Sequence, residues 1–312
     1  MTVPEPHPIL IAGPTASGKS ALALRLAERL DGCVINADAS QAFACWRVLT
    51  ARPSAAEAAR APHRLYGHVA ADAPYSVGAW LRDVAGVLAE CAAQGWRPIV
   101  VGGTGLYFTA LTEGLAEIPP PSAAIRAQAQ ARLARLGVAG LAAEIAARDP
   151  ATFAALDPAN PARLLRAWEV LAQTGAGLAA WRARAAPPLV PLTQAKAMVL
   201  APDRARLYAA CDARFDAMLA QGALDEAQAV AALPLPASAP ALKALGAREL
   251  MAHLRGDIPL ETAAATVKQA TRRYAKRQMT WFRNRMIAWR TIHAQQSCDF
   301  LDLATDYLRE GP

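Results

Sequence analysis

Charge is scarce in this 312-residue chain: only 19% of its residues are Asp, Glu, Lys or Arg, against 54% hydrophobic. That balance excludes extensive disorder and supplies apolar material for one large core or two modest ones. Cysteine is sparse as well. Cys33, Cys45, Cys91, Cys211 and Cys298 are odd in number, far apart and without a CxxC pair, which argues against structural zinc and for a reduced, cytoplasmic setting. No run of about 18 uncharged apolar residues occurs, so no membrane span is expected. Met1–Pro8 lacks the basic start of a secretory signal. Acids are missing from one stretch in particular: between Arg272 and Arg290 there are seven Lys or Arg and no Asp or Glu. This stretch accounts for the whole net charge of +7 and points to a local polyanion-binding face.

What is present begins with Gly13-Pro14-Thr15-Ala16-Ser17-Gly18-Lys19-Ser20, a fit to G-x-x-x-x-G-K-[ST]. The apolar run Ile9–Ala12 before it has buried-strand character, and Leu22, Leu24, Leu26 and Leu30 after it share an Ala-rich helical segment. Strand, glycine loop and helix start is the context a phosphate-binding loop requires. Loop amides and the helix N-terminus face an oligophosphate, Lys19 adds a full charge, and the Ser20 hydroxyl is placed to hold a phosphate-bound Mg²⁺. The motif does not say which phosphate compound binds.

Two further strands, residues 33–38 and 99–103, end in Asp38 and in the Gly102-Gly103 turn before Thr104. Ser76 reads as the N-cap of a helix running to about Gln94 and closed by Gly95. Strands alternating with helices predict a parallel sheet flanked by helices, a P-loop NTPase-like α/β fold. Ligands collect beyond the carboxyl ends of such strands, so Gly13, Asp38 and Thr104 are expected to converge on one phosphate. Asp38 fits a general base or an outer magnesium ligand, and equally a cap of a helix or turn. Thr104 offers a hydroxyl and a backbone N–H to phosphate, or serves as an N-cap.

Pro119-Pro120-Pro121 breaks the alternation, and Pro187-Pro188 closes a stretch that reads as short helices without a strand. The expectation is a discontinuous core, 1–118 and 190–312, with an all-helical insertion domain at 119–189. A strand at 197–201 resumes the sheet, helices follow from 203, and a last helix is predicted from Pro259 to about Arg290. Residues after about 298 read as a loosely held tail. Around the last helix, Tyr274, Ala275, Met279, Trp281, Phe282, Met286 and Trp289 fall on one side. Arg272, Arg273, Lys276, Arg277, Arg283 and Arg290 fall on the other, a face suited to tracking nucleic-acid phosphates if it is not merely solvated.

Together these segments resemble the bacterial tRNA dimethylallyltransferases (tRNA isopentenyltransferases). The resemblance is carried by GPTASGKS at 13–20, INAD at 35–38, PHRL at 62–65 and VGGTGLYF at 101–108. It continues through NPARLLRAWEV at 160–170, RFDAML at 214–219 and AKRQMTWFRN at 275–284. It implies transfer of a dimethylallyl group from dimethylallyl diphosphate to N6 of the adenosine 3′-adjacent to the anticodon, with release of diphosphate. It further implies that Asp38 accepts the N6 proton and that Lys19, Thr104 and Arg214 act with Mg²⁺ on the leaving group. Asp38, Ala39, Ser40 and Gln41 would line the adenosine. Arg126 and Ala162, Arg163, Leu164, Leu165 and Arg166 would contact the tRNA anticodon stem-loop from the insertion. Arg272, Lys276, Arg277 and Arg283 join them on the basic helix, and a monomer would suffice for such a ligand.

Three departures stand out: Ala39 where the family usually has Ser, Leu49-Thr50-Ala51-Arg52-Pro53 for Gly-Thr-Ala-Lys-Pro, and Gly246-Ala247 for Gly-Tyr. Two other readings compete. An adenylate isopentenyltransferase would need neither insertion nor basic helix, and a P-loop small-molecule kinase usually has an apolar strand ending in a magnesium-binding Asp, not clearly found. An RNA-binding nucleotide switch is disfavoured because no Asn-Lys-x-Asp motif occurs.

Overall fold

Apolar residues that alternate along a parallel strand feed two separate cores, and this chain does so on every central strand. The computed structural model describes residues 7–293 and 299–309. In chain order it contains β1 (Ile9–Ala12), α1 (Lys19–Leu30), β2 (Gly32–Asn36), α2 (Ala55–Ala58), β3 (His63–Arg64), α3 (Val77–Gln94), β4 (Arg97–Gly102) and α4 (Gly105–Glu113). Next come α5 (Ala123–Arg148), α6 (Pro150–Phe153), α7 (Pro161–Thr174), α8 (Leu178–Arg182) and β5 (Lys196–Leu200). The last are α9 (Arg204–Ala220), α10 (Ala223–Ala231), α11 (Ala247–Leu254), α12 (Leu260–Arg285), β6 (Arg290–Ile292) and α13 (Asp299–Arg309).

The strands form one six-stranded sheet in the order β3-β2-β4-β1-β5-β6, with every pairing parallel. Leu10, Ala12, Cys33, Ile35, Val100 and Val199 face a core built with Trp80 and Val84 of α3, Phe108 and Leu111 of α4, and Phe282. Ile9, Ile11, Val34, Ile99, Met198 and Leu200 face the other, built with Leu22 and Leu26 of α1 and Leu301 of α13. Period-two alternation with both faces covered is what an all-parallel sheet requires. A third cluster joins α9, α10, α11 and α12 with Phe43, Trp46 and Leu49.

Contacts divide the chain into two units, Met1–Thr112 with Leu189–Pro312, and Glu113–Pro188. The second is wholly helical and has its own core of Ala129, Leu141, Ile145, Leu164 and Trp168. Its first helix, α5, is longer than the short helices expected there, and is broken at Gly137, which sits at φ 66°.

Several expectations need correction. The last helix ends at Arg285 rather than Arg290; Met286 leaves helical geometry, and Arg290 opens edge strand β6. The segment after 298 is not loose where it is described. Its helix places Leu301 and Ala304, 7% and 0% exposed, against the α1 side of the sheet. Strands β3 and β6, two and three residues long, went unread. Cys33, Cys45, Cys91 and Cys211 are free thiols, while Cys298 lies outside the described residues. Among the described residues no helix is long and apolar enough to cross a membrane.

Candidate active site

The register of the sheet brings the candidate chemistry together. Ala12, just before the glycine loop, pairs with Gly102, and Asn36 pairs with Val101. The loops leaving β1, β2 and β4 therefore open side by side at the carboxyl edge, where an open α/β sheet collects ligands.

Gly13–Ser20 links β1 to α1. Ala16 at φ 62° and Gly18 at φ 85° give the loop the left-handed turns from which anion-binding nests are built. Lys19, the first residue of α1, is 9% exposed, and its Nζ donates to the Pro14 carbonyl at 3.2 Å. Burial lowers its pKa from 10.5 to about 8, against the opposing pull of Asp38, while Arg214 adds to the lowering. Arg214 comes from α9, the helix after β5. Burial likewise presses its pKa below the ordinary value, and its guanidinium donates to the Thr15 hydroxyl. One buried and one half-buried cation beside a nest form a cradle for a polyanion.

Asp38 faces this cradle from β2. Asn36, fully buried, holds the turn: its amide donates to the carbonyls of Asp38 and Leu65, and its oxygen accepts the Asp38 N–H at 2.8 Å. Asp38 Oδ1 accepts from the Ser40 N–H at 3.0 Å and the Ser40 hydroxyl at 2.7 Å, so the carboxylate does cap the short 3₁₀ turn Ala39–Ala42. Its Oδ2 has no partner among the described residues, which leaves a free acceptor. Gly102 makes the close approach possible, because a Cβ there would collide with the Ala37 carbonyl. Thr104 needs a correction. Its N–H is spent on Ala37 O at 3.1 Å and is not available to phosphate. Its hydroxyl oxygen accepts from the Ala39 N–H at 3.0 Å, which leaves the hydroxyl proton and one lone pair free.

One cavity of about 490 Å³ collects Thr15, Lys19, Ser20, Asp38, Ala39, Ser40, Gln41, Thr104, Arg214 and Arg277. Cation and carboxylate mark its polar side. Phe43, Leu49, Phe215, Met218 and Val267 supply an apolar wall, with Phe215 and Met218 continuing the α9 face that carries Arg214. The site can thus hold an anion, an apolar group and a proton acceptor at once.

The IPP transferase family model matches residues 41–285. This chain belongs to the IPP transferase family. A tRNA dimethylallyltransferase of Cereibacter sphaeroides is 59% identical over 293 residues, 93% of this chain and 90% of that protein. One from Rhodospirillum centenum is 56% identical, with 92% of each covered. Among solved structures, the full-length tRNA isopentenylpyrophosphate transferase of Bacillus halodurans superposes with TM-score 0.67 at 29% identity, covering 97% of this chain and 96% of its own. A eukaryotic dimethylallyltransferase acting on tRNA has TM-score 0.82 at 23% identity, covering 98% and 80%, and supports the shared fold.

The departures from the IPP transferase pattern are absorbed locally. Leu49 is buried against the third cluster and lines the cavity. Arg52 donates to the carbonyls of Phe43, Ala44 and Trp46, so it ties its own loop rather than a ligand. Ala247 is fully buried in the same cluster. Beside Ala39, the Ser40 hydroxyl serves the carboxylate.

The remaining site residues divide. Arg277 reaches the cavity with its guanidinium 5.7 Å over the Tyr274 ring. Lys276, Arg283 and Arg273 are exposed on α12 and form no ion pair among the described residues. Arg272 does not belong with them. It is held 2.6 Å from both carboxylate oxygens of Asp212, and Lys268 is paired with Asp216, so α9 supplies the acids that the basic stretch of α12 lacks. In the helical unit, Arg126, Ala162 and Arg163 are exposed, while Leu165 and Arg166 are half-buried. Leu164 is fully buried in that unit's own core, which takes its side chain out of any contact surface. Sequence reasoning missed the whole apolar wall, Cys211 and Lys243, which line the cavity, and Gln278 behind it. Gln278 left a signal, being the one polar residue in the buried stripe Ala275–Gln278–Phe282.

Proposed function

We propose that this chain transfers a dimethylallyl group from dimethylallyl diphosphate to N6 of the adenosine 3′-adjacent to the anticodon in tRNA, releasing diphosphate. The observation that carries the reading is the single cavity in which an anion cradle, an apolar wall and a free carboxylate oxygen face one another. The names of the 52–59% identical relatives support the same activity.

The exocyclic amine is a weak nucleophile because its lone pair is delocalised into the purine, so catalysis depends mainly on stabilising the leaving group. N6 forms a bond to the allylic C1 while the C1–O bond breaks and its electron pair departs with the diphosphate. Lys19, Arg214 and the loop amides take up that charge in a desolvated site. Asp38 Oδ2 receives the N6 proton, with Oδ1 fixed by Ser40. Thr104 and Gln41 line the same cavity. The purine must leave its stack to enter.

Magnesium fits this site as a companion of the substrate. The Ser20 hydroxyl lies in the cavity beside Lys19 without a hydrogen-bond partner among the described residues. Those residues contain no cluster of three acidic, His or Cys ligands. That is the donor set of an ion held largely by phosphate oxygens and water. Mg²⁺ would supply charge neutralisation on the departing diphosphate.

On the polyanion side, the exposed Arg273, Lys276 and Arg283 favour a tRNA acceptor over a free nucleotide. The test is incubation with labelled dimethylallyl diphosphate, Mg²⁺ and unmodified tRNA. Label in the anticodon loop is the expected result. Label in added AMP alone would reassign the acceptor, and no transfer to either would sink the proposal.

A further inference from the structure

Gln278 lies on the buried side of α12 and is 5% exposed. A side-chain amide buried there is costly unless both ends are bonded. Both are. The Thr15 N–H donates to Gln278 Oε1 at 2.9 Å, and Gln278 Nε2 donates to the Gly103 carbonyl at 2.8 Å. The backbone partners dictate the orientation of the amide, since one is a donor and the other an acceptor.

These two partners belong to the two loops that the chemistry needs in register. Thr15 is part of the anion cradle, and its hydroxyl accepts from Arg214. Gly103 is part of the turn beside Asp38. A Cβ added at Gly103 would collide with Gln278 Nε2 and stand 3.3 Å from Asp38 Oδ2, so amide, turn and carboxylate meet at one point. Thr15 also gives its N–H to Gln278, so that amide is not free to point at a phosphate.

We infer that Gln278 is a positioning residue: its amide fixes the Thr15–Arg214 side of the anion cradle relative to the strand end carrying Asp38. The inference rests on the proposed function only in taking the ligand of the cradle to be a diphosphate. A packing role alone would need volume at this position; a positioning role needs one acceptor and one donor.

Gln278→Glu and Gln278→Met together separate the two, because the ionised carboxylate also repels diphosphate by its charge and only the uncharged variant removes the bonds alone. The ionised carboxylate of Gln278→Glu still accepts from Thr15 but has no hydrogen for the Gly103 carbonyl. Its protonated form restores both bonds. Burial and the neighbouring Asp38 favour the protonated form, against the opposing pull of the cradle cations Lys19 and Arg214, which holds the change within a workable pH range. The measurement is calorimetric titration with inorganic diphosphate and Mg²⁺, for wild type and variant from pH 5.5 to 8.5, taking the ratio of the two dissociation constants at each pH. That ratio cancels the titration of free diphosphate.

The expected ratio is roughly tenfold or more at pH 8.5, falling to within about threefold at pH 5.5. Gln278→Met, which has similar length and neither bond, is expected to bind roughly tenfold more weakly than wild type at every pH. It carries the test if Q278E fails to fold at high pH. A flat Q278E ratio, or wild-type affinity in Q278M, overturns the positioning role while leaving the diphosphate site standing. A wild-type protein that does not bind diphosphate overturns both.

Discussion

Replacing Lys19 by methionine isolates the cost of burying a cation at the start of α1. Burial draws the Lys19 pKa from 10.5 down to about 8, with Asp38 resisting and Arg214 assisting. Unfolding returns the group to 10.5, so below pH 8 the folded protein holds a proton that the unfolded chain binds more tightly. At about 1.4 kcal/mol for each pH unit, the displacement costs the folded state about 3 kcal/mol. Methionine keeps most of the volume without the charge, and forgoes the 3.2 Å bond to the Pro14 carbonyl, a loss of about 1 kcal/mol. Lys19→Met is therefore expected to be about 2 kcal/mol more stable than wild type at pH 7, while losing diphosphate binding. The sign of the pH effect follows from proton binding. Between pH 8 and 10.5 the unfolded state binds more protons, so wild-type stability from this residue rises across that window and the gap to the variant closes. Urea denaturation of both proteins at pH 6, 7, 8, 9 and 10 reads the effect directly. A variant no more stable than wild type at pH 7, or a gap as wide at pH 10 as at pH 7, would refute the reasoning.

Other outcomes follow from the same geometry. Asp38→Asn, which keeps an acceptor for Ser40 but cannot take the N6 proton, is expected to lower turnover by about 10²-fold or more with diphosphate affinity retained; near-normal turnover would remove Asp38 as the base. Neutralising Arg273, Lys276 and Arg283 together is expected to weaken tRNA binding and reduce its salt slope by about 2 to 3, read from affinities between 50 and 300 mM salt. An unaltered slope would make that face simply solvated. Arg272→Ala should instead cost stability by stranding Asp212, with little change in the slope. Gly102→Ala, which forces a Cβ into the Ala37 carbonyl, is expected to lower the melting temperature sharply and to impair turnover through the displaced Asp38 turn; an unchanged melting curve would contradict the close approach.

The centre of the molecule was legible because its signals are local. The glycine loop, Asp38 and Thr104 each sit at the end of an apolar run, and parallel topology alone brings such ends together. What stayed hidden depends on partners distant in sequence. The Arg272 partner, Asp212, lies on another helix 60 residues earlier, so counting charges along one helix overstated its free positive face. The Thr104 N–H looked available until Ala37 was seen to take it. Gln278 lies within the AKRQMTWFRN segment, yet its role depends on Thr15, 263 residues away. Strands β3 and β6 are too short to show alternation, and β6 continues a basic pattern that reads as more helix. The amphipathic segment at 299–309 has too little length to announce that it packs on the sheet rather than trailing from it.

The strand that launches the glycine loop has a consequence for biosynthesis. β1 takes β4 on one side and β5 on the other, pairing Ile9 with Ile99 and with Lys196. Its second neighbour therefore emerges from the ribosome about 187 residues after it, roughly 10 to 40 s later at ordinary elongation rates. Until β4 emerges the nascent chain carries a fully apolar strand with both hydrogen-bonding edges open, and from then until β5 emerges with one, a template for pairing with another chain. The helical segment between residues 113 and 188 has a core of its own; a translation pause before β5 has left the ribosome should raise aggregation relative to one after β6 has emerged.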